Sequence, residues 1–388
     1  GFSRQLGRHF IECAEAQGAP GDARGMVETT LDLALQSRVE EAIASGLRER
    51  AREDPLVTAA AVVMDVKSGE LLAMAGSRDY FDEAAGGAVN AAVALRQPGS
   101  ALKPFTYFAA FAKGFLPGSV VPDLPLSFSA AGVEESEAYS PQNFDRLFHG
   151  EVTMRQALAN SYNVPAVVTL NEIGLSFFHD ILRRFGFTTF TRPPPHYGLA
   201  VTLGSGEVTL VELTNAYAAL ARGGAYLPFS IEPRAAGEAR PVLPNAGALS
   251  AHVASILSDG QARMKAFGEN DSMSVEGHRV AIKTGTSYGH RDNWAIGYSP
   301  SFAVGVWVGH ADGTPMDAAS MTGASSAAPL WHAIMESLLR GRPAEEFPFL
   351  KGEALPPAPP KTDGEGIPGG RGSFTVTSPV ENATYRIH

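Results

Sequence analysis

The chain has 388 residues, of which 44% are hydrophobic, so it is long enough for one large domain with additional segments. A net charge of -10 and the lack of a basic run argue against nucleic acid as a partner, and a single cysteine, Cys13, excludes an internal disulfide and a multi-cysteine metal cluster. No apolar run approaches the roughly 18 residues that span a bilayer, and the first ten residues contain neither an initiator methionine nor an apolar signal core, so we expect a processed or trimmed start.

The first predicted elements are a helix and a strand hairpin. Residues 1–28 have weak periodicity and are interpreted as the remnant of an N-terminal linker. Thr30 is the expected cap of a helix with Asp32 in its first turn, and this helix should end at Asp54 and Pro55. The runs "TAAAVVMDV" and "ELLAMAG", separated by "KSG", predict two paired strands.

The remaining elements predict an α+β fold. Residues 99–266 carry mostly helical signals, after which "HRVAIKTGTS", "NWAIGYS" and "SFAVGVWVGH" are spaced as a strand meander. The expected architecture is an antiparallel sheet, built from the N-terminal hairpin and the C-terminal meander, with a mostly helical subdomain between them. The expected domain covers residues 29–340, followed by a Pro/Gly-rich linker at 341–372 and the start of a truncated β domain at 373–388.

The stretch "RQPGSALKPF" combines a serine, a lysine and a proline at a helix start. Because proline is tolerated only in the first turn of a helix, Pro104 places that start near residues 98–100. Lys103 lies one turn after Ser100, with Cβ atoms roughly 5–6 Å apart, so hydroxyl and amine can meet. The apolar surroundings favour a neutral lysine, whose pKa must fall from about 10.4 to about 7 for it to act as a base. By itself this pattern also fits an N-cap serine with a solvated lysine.

A second motif is "SYN", residues 161–163, at the boundary of two predicted helices. One helix is expected to end near Asn160 and the next to start at Pro165, which leaves Ser161 and Asn163 in an extended connection. Alternate side chains in an extended segment point the same way, so both could face one cleft. An ordinary helix cap is the competing interpretation.

The third motif, "KTGTS", ends a predicted strand. Lys283 supplies positive charge there, and the hydroxyls of Thr284 and Thr286 could bind a carboxylate. Gly285 lacks a side chain, which would let an extended ligand approach the strand edge and pair with it. A surface strand that ends in a turn is the alternative.

These three motifs, in this order, resemble the signature of the penicillin-recognising serine transpeptidases, S-x-x-K, S-x-N and K-T-G. The surrounding segments, among them "GEVTMRQALANSYNVPAV" and "RDNWAIGYSPSFAVGVWVG", look like the transpeptidase domain of class A penicillin-binding proteins, most of all the 1C type. The resemblance covers about residues 25–340. The glycosyltransferase domain and membrane anchor of such proteins are absent from this sequence, so glycan polymerisation is not predicted for it.

The resemblance implies an acyl-transfer mechanism. Ser100 would be the nucleophile and Lys103 its general base, acting on the D-Ala-D-Ala end of a peptidoglycan stem peptide. Ser161, next to Lys283, would pass a proton to the departing amine, and Asn163 would hold the peptide backbone of the substrate.

The same resemblance implies how the substrate is bound. Thr284 and Thr286 would bind the terminal carboxylate of the stem peptide or of a β-lactam, along the strand edge at Gly285. The backbone N–H groups of Ser100 and Thr286 would form the oxyanion hole. No metal and no organic cofactor is expected. The resemblance also implies a periplasmic location, with membrane contact only through N-terminal parts absent from this sequence, and cell-wall synthesis proteins as candidate partners.

Three other functions remain open at the level of sequence. A β-lactamase shares all three motifs and adds a glutamate that positions water, and Glu207 and Glu212 lie between the second and third motifs. A D,D-carboxypeptidase would use water in place of the acceptor amine. A sensor would bind stem peptide or penicillin without turnover.

Overall fold

The computed structural model describes residues 7–17, 27–128, 139–233, 237–269, 271–317 and 320–350, together with the backbone of two short strands near the C-terminus. Its centre is a five-stranded antiparallel sheet in the order β2-β1-β9-β8-β7. The strands of this sheet are β1 (Val57–Asp65), β2 (Leu71–Ala75), β7 (Ala281–Thr286), β8 (Asp292–Tyr298) and β9 (Phe302–His310). The predicted hairpin and meander are thus confirmed, and β1 joins them by pairing with β9 from Val57↔His310 to Asp65↔Phe302.

Helices cover both faces of the sheet, which explains why its central strands are continuous apolar runs. On one face the core contains Phe105 and Tyr217, and on the other it contains Val39 and Trp331. Since both faces are buried, alternate polar residues are not required. The helices in the described part of the chain are α1 (Arg8–Ala16), α2 (Leu33–Leu47), α3 (Arg50–Glu53), α4 (Lys103–Ala112), α5 (Met154–Ala159), α6 (Asn163–Ile173), α7 (Leu175–Arg184), α8 (Pro194–Tyr197), α9 (Leu210–Ala221), α10 (Ala246–Leu257), α11 (Met264–Phe267) and α12 (Ala328–Leu339).

Three short two-stranded sheets complete the set of described strands. They are formed by β3 (Val120–Asp123) with β4 (Gly150–Thr153), β5 (Ala225–Tyr226) with β6 (Arg240–Pro241), and β10 (Val376–Thr377) with β11 (Thr384–Tyr385). The α+β class is therefore confirmed. Among the described residues, none of the helices has both the length and the apolar content that crossing a membrane requires.

The N-terminal predictions need three corrections. Residues 8–16, expected to be part of a linker, form α1, and its Phe10 is fully buried in the core. Thr30 does not cap α2: its hydroxyl donates to the Leu71 carbonyl, while the side chain of Asp32 accepts from Leu35 N and is the N-cap. The predicted single helix is interrupted after Leu47 and continues as α3.

The predicted linker also begins too early. Phe347 is fully buried, and its ring centroid lies 5.4 Å from that of Tyr298, so the first residues after 341 pack on the domain. Residues 351–375 lie outside the described part of the chain, as does most of the predicted truncated β domain apart from β10 and β11.

Candidate active site

Ser100 lies in a short 3-10 turn, Gly99–Leu102, directly before α4. Pro104 occupies the first turn of α4, as the sequence predicts, and the α-helix itself begins at Lys103. Ser100 is half-buried, and within the described part of the chain its hydroxyl has no hydrogen-bond partner. The expected contact between the Ser100 hydroxyl and the Lys103 amine is therefore not a hydrogen bond in this structure.

Lys103 is fully buried, and its amine faces the second motif. Its Nζ atom donates to the carbonyl oxygens of Ser161 at 2.5 Å and Tyr162 at 3.0 Å, and to Asn163 Oδ1 at 2.7 Å. Ser161 Oγ lies 3.4 Å from the same nitrogen. Carbonyl and amide oxygens only accept, so three such bonds use all three N–H groups of a protonated amine.

Burial opposes that protonated form. Desolvation, followed by the charge of Lys283, lowers the pKa of Lys103 well below its usual value, while the carboxylate of Asp123 acts in the opposite direction. Burial lowers the pKa of Lys283 to about 7. The apolar α4 that causes the desolvation is confirmed, because its residues 103–111 are all buried. A lysine that loses its proton readily is thus held by bonds that a neutral amine can only partly make.

The second motif differs from the predicted extended connection. Asn163 is the first residue of α6, which starts two residues earlier than expected, and Ser161 has a left-handed backbone with φ 60°. That conformation costs roughly 1–2 kcal/mol in a residue other than glycine, and hydrogen bonds from Lys103 help to maintain it. The two side chains nevertheless lie close together, both within hydrogen-bond distance of Lys103 Nζ, a shared contact that the sequence does not predict.

The third motif lies on β7, which is an edge strand of the sheet. Lys283 Nζ donates to Ser161 Oγ at 2.8 Å, so this hydroxyl lies between two buried amines. Thr284 and Thr286 alternate with Lys283 along the strand, which places them on the other face, and Thr286 Oγ1 accepts from Gly323 N at 3.0 Å. Carboxylate binding by these two threonines stays a prediction.

Gly285 permits a close approach within the chain itself. A Cβ atom added to it would lie 2.3 Å from the Pro98 carbonyl oxygen and 2.9 Å from Ala101 N. The space on this face of Gly285 is therefore filled by the turn that carries Ser100, and pairing of an extended ligand with the edge of β7 stays a prediction. Gly99 repeats the arrangement from the other side: its φ is 54°, and an added Cβ would lie 2.4 Å from the Thr286 carbonyl oxygen. The backbones next to Ser100 and Thr286 are thus packed side by side.

The sequence does not single out three polar residues behind the second motif, namely Asp123, Asn143 and the half-buried His149. Asp123 is fully buried and Asn143 is 4% exposed. Both lie far from the motif in sequence, and polar residues in "VVPDLP" and "SPQNFD" carry no periodicity that would single them out. Within the described residues, no cluster of three or more histidine, cysteine or acidic side chains could hold a metal ion.

Comparisons with known proteins agree on the class of domain. A family profile described as the penicillin binding protein transpeptidase domain matches residues 59–336. Penicillin-binding protein 1C of Escherichia coli K12 is 33% identical over 314 residues, which cover 81% of this chain and 38% of that protein. Penicillin-binding protein 1A of Neisseria cinerea is 32% identical over 308 residues, 74% of this chain and 37% of that protein. The chain thus spans less than two fifths of the length of these two relatives.

Solved structures show the same fold. PonA1 of Mycobacterium tuberculosis in complex with penicillin V superposes with a TM-score of 0.70 at 24% identity, over 89% of this chain and 94% of that chain. Penicillin-binding protein 1A of Haemophilus influenzae gives a TM-score of 0.65 at 23% identity, over 78% of this chain and 49% of that chain.

Proposed function

Since this chain belongs to the penicillin-binding protein transpeptidase family, with class A proteins among its relatives, we propose that it is a peptidoglycan D,D-transpeptidase domain acylated at Ser100. Its substrate is a stem peptide ending in D-Ala-D-Ala, and β-lactams acylate the same serine. The observation that carries this proposal is the position of Ser161 Oγ, 3.4 Å from Lys103 Nζ and 2.8 Å from Lys283 Nζ. Two buried amines that share one hydroxyl form a route for protons beside the candidate nucleophile.

The first step is proton transfer from Ser100 to Lys103. A neutral Lys103 has two N–H groups and one lone pair, so it must release one of its three carbonyl-type acceptors. The freed lone pair then accepts the proton of Ser100 as Oγ attacks the carbonyl carbon of the penultimate D-Ala. Backbone N–H groups of Ser100 and Thr286 stabilise the oxyanion, and one such donor is typically worth about 2.7–4 kcal/mol.

The second step expels the terminal D-Ala. The C–N bond breaks, and the leaving nitrogen takes a proton from Ser161 Oγ, which is replenished from the neighbouring amines. The product is an ester between Ser100 and the remaining stem peptide. An amine from a second stem peptide attacks that ester, forms the cross-link and returns Ser100 to its free state, whereas attack by water gives the carboxypeptidase reaction.

The surroundings of the site favour the transpeptidase over a β-lactamase. Glu212 accepts from the backbone and hydroxyl groups of Thr188 and Thr189, at 2.5–3.3 Å. Glu207 is exposed and lines a cavity of about 560 Å³ together with Gln97. Among the described residues, no carboxylate is hydrogen-bonded to Ser100, Lys103, Ser161 or Lys283. This lack of a direct carboxylate contact with the cluster supports the transpeptidase over the β-lactamase.

Two measurements separate the candidate functions. The transpeptidase should release D-Ala from a synthetic pentapeptide and, in the presence of an added amine, form the amide product. Its penicillin adduct should persist after free drug is removed, because no described carboxylate is bonded directly to the cluster that would have to activate water. An adduct that turns over within seconds would instead identify a β-lactamase, and an adduct without any D-Ala release would identify a sensor.

We also infer a periplasmic location, with the inner membrane reached through other parts of the full-length protein. This inference rests on the resemblance to class A proteins and on the substrate, which is cell-wall material. Cell-wall synthesis proteins are the candidate partners.

A further inference from the structure

The amide of Asn143 connects a buried carboxylate to the start of α6. Asn143 Oδ1 accepts from the backbone N of Asn163 at 2.7 Å and of Val164 at 3.3 Å. Asn143 Nδ2 donates to both carboxylate oxygens of Asp123 at 2.8 Å, and to the Leu147 carbonyl at 2.8 Å. Because backbone N–H groups only donate and an ionised carboxylate only accepts, the amide can have only this orientation.

Asn143 acts as the missing cap of α6. The N-cap position of this helix is Tyr162, whose side chain makes no capping bond. The first N–H groups of a helix have no partner within it, so a cap must come from elsewhere. Here it comes from a loop twenty residues earlier in the chain, and it holds the backbone of Asn163 itself.

The neighbour of Asn143 holds the side chain of the same residue. Asn163 Nδ2 donates to the Gln142 carbonyl at 2.7 Å, and Asn163 Oδ1 accepts from Lys103 Nζ at 2.7 Å. Gln142 and Asn143 therefore fix both the backbone and the amide plane of Asn163. An asparagine fixed in this way has its remaining hydrogen-bonding capacity directed by the fold before substrate arrives.

Asp123 anchors this arrangement from behind. It lies in β3, and besides Asn143 it accepts from His149 N at 3.1 Å and contacts His149 Nδ1 at 2.6 Å. The His149 ring stacks on Tyr162, with centroids 4.0 Å apart and an angle of 14°. The carbonyl of Tyr162 in turn accepts from Lys103 Nζ. Asp123 thus reaches the second motif by two routes, through Asn143 to Asn163 and through His149 to Tyr162.

We propose that Asp123 and Asn143 are positioning residues of the acylation site, which hold the Ser161–Asn163 segment against Lys103. The proposal rests on the proposed function and deepens it, because neither residue belongs to the three motifs. Without the Asn143 cap, the backbone N–H of Asn163 at the start of α6 loses its acceptor. The strained backbone of Ser161, two residues earlier, then loses the support that a fixed Asn163 provides. Ser161 Oγ then no longer lies between the two amines.

The test compares buried amides of similar environment. Asn143→Ala removes the cap, and Asn215→Ala is the matched control, since Asn215 is 3% exposed and its amide bonds go to Leu227 and Arg222. Folding is checked by circular dichroism, and the rate of penicillin acylation is measured at saturating drug. We expect Asn143→Ala to slow acylation about 10- to 100-fold, the loss that a misplacement of about 1 Å brings, while Asn215→Ala retains the wild-type rate.

Asp123→Asn keeps the shape of the side chain and tests the same route if Asn143→Ala fails to fold. It replaces one of the two Asp123 oxygens that accept from Asn143 Nδ2 with a donor, and Asn143→Asp places acceptors opposite acceptors. The double variant Asp123→Asn/Asn143→Asp restores one donor opposite one acceptor, so it should recover part of the acylation rate lost in each single variant. If these residues only stabilised the fold, the single variants would have lower melting temperatures but a wild-type acylation rate per folded molecule. The double variant would then have no lost rate to recover.

A pH profile adds a readout specific to positioning near Lys103. The only charged groups that act on the pKa of Lys103 in the described structure are Lys283, which lowers it after burial has done so, and Asp123, which raises it. Asp123→Asn should therefore move the acidic limb of the acylation profile to lower pH. Wild-type rates in folded Asn143→Ala and Asp123→Asn would overturn this inference alone. A wild-type chain that forms no penicillin adduct would overturn the proposed function, and this inference with it.

Discussion

Two buried lysines that share the hydroxyl of Ser161 are the chemical centre of this site. Burial lowers the pKa of both lysines, and the charge of Lys283 lowers the pKa of Lys103 further. The three acceptors around Lys103 favour its protonated form, which opposes this decrease in pKa, and they hold the amine against the second motif. Burial and the charge of Lys283 thus favour the neutral form of Lys103, which is the form that the proposed base requires.

This balance predicts how the pH dependence changes when Lys283 is removed. Lys283→Ala slows acylation because the relay through Ser161 loses one member. Below pH 7, where Lys283 is charged in the folded protein, its loss also removes a repulsion that lowers the pKa of Lys103. The acidic limb of the variant should therefore lie at higher pH than that of the wild type. The measurement is the penicillin acylation rate from pH 5 to 9, with Lys113→Ala at the far end of α4 as control. An unmoved limb would show that the two amines do not interact.

At the scale of elements, the contact between β7 and the turn before α4 brings the first and third motifs together. Gly285 and Gly99 are the two positions at which backbone meets backbone without a side chain between them. A methyl group at residue 285 would lie 2.3 Å from the Pro98 carbonyl oxygen, a distance that real Cβ atoms do not reach.

We therefore expect Gly285→Ala to displace the Ser100 turn and to reduce both stability and acylation. The control is Gly247→Ala on α10, where an added Cβ meets nothing within 4 Å. Alanine is favoured over glycine inside a helix by about 0.8–1 kcal/mol, so this control should be as stable as the wild type or more so. Urea unfolding and acylation rates measure the two effects. Wild-type acylation by Gly285→Ala would contradict the role given to this contact.

The elements also show what the sequence could predict. The hairpin, the meander and the buried α4 follow from continuous apolar runs and from one proline, and these predictions are confirmed. The start of α6 at Asn163 was missed because its cap, Asn143, comes from a distant loop and leaves no local pattern. The close approach of Gly285 to Pro98 is not predictable from the sequence, because the two residues are adjacent only in the folded chain.

At the scale of the whole molecule, a buried lysine makes stability depend on pH. Lys283 has a pKa of about 7 in the folded protein, and about 10.4 is usual for an exposed lysine in the unfolded chain. Between these values the unfolded chain binds a proton that the folded protein does not, so the free energy of unfolding rises with pH. One proton contributes up to about 1.4 kcal/mol per pH unit.

The matching experiment is urea unfolding of the wild type and of Lys283→Met between pH 7 and 9. Other groups titrate in both proteins, so the difference between the two slopes reports the titration of Lys283 together with the change that its removal causes in the titration of Lys103. Wild-type stability should increase more steeply with pH than that of the variant, and the penalty should be fully present below pH 7. Equal slopes would mean that Lys283 stays charged in the folded protein throughout this range.

The most direct test of Ser100 as nucleophile and Lys103 as base is intact-protein mass spectrometry after incubation with labelled penicillin, followed by peptide mapping, for the wild type and for folded Lys103→Ala. We predict one adduct on the wild type, mapped to Ser100, and an acylation rate for Lys103→Ala that is lower by orders of magnitude. An adduct on another residue, or a near wild-type rate in Lys103→Ala, would contradict the assignment of nucleophile and base.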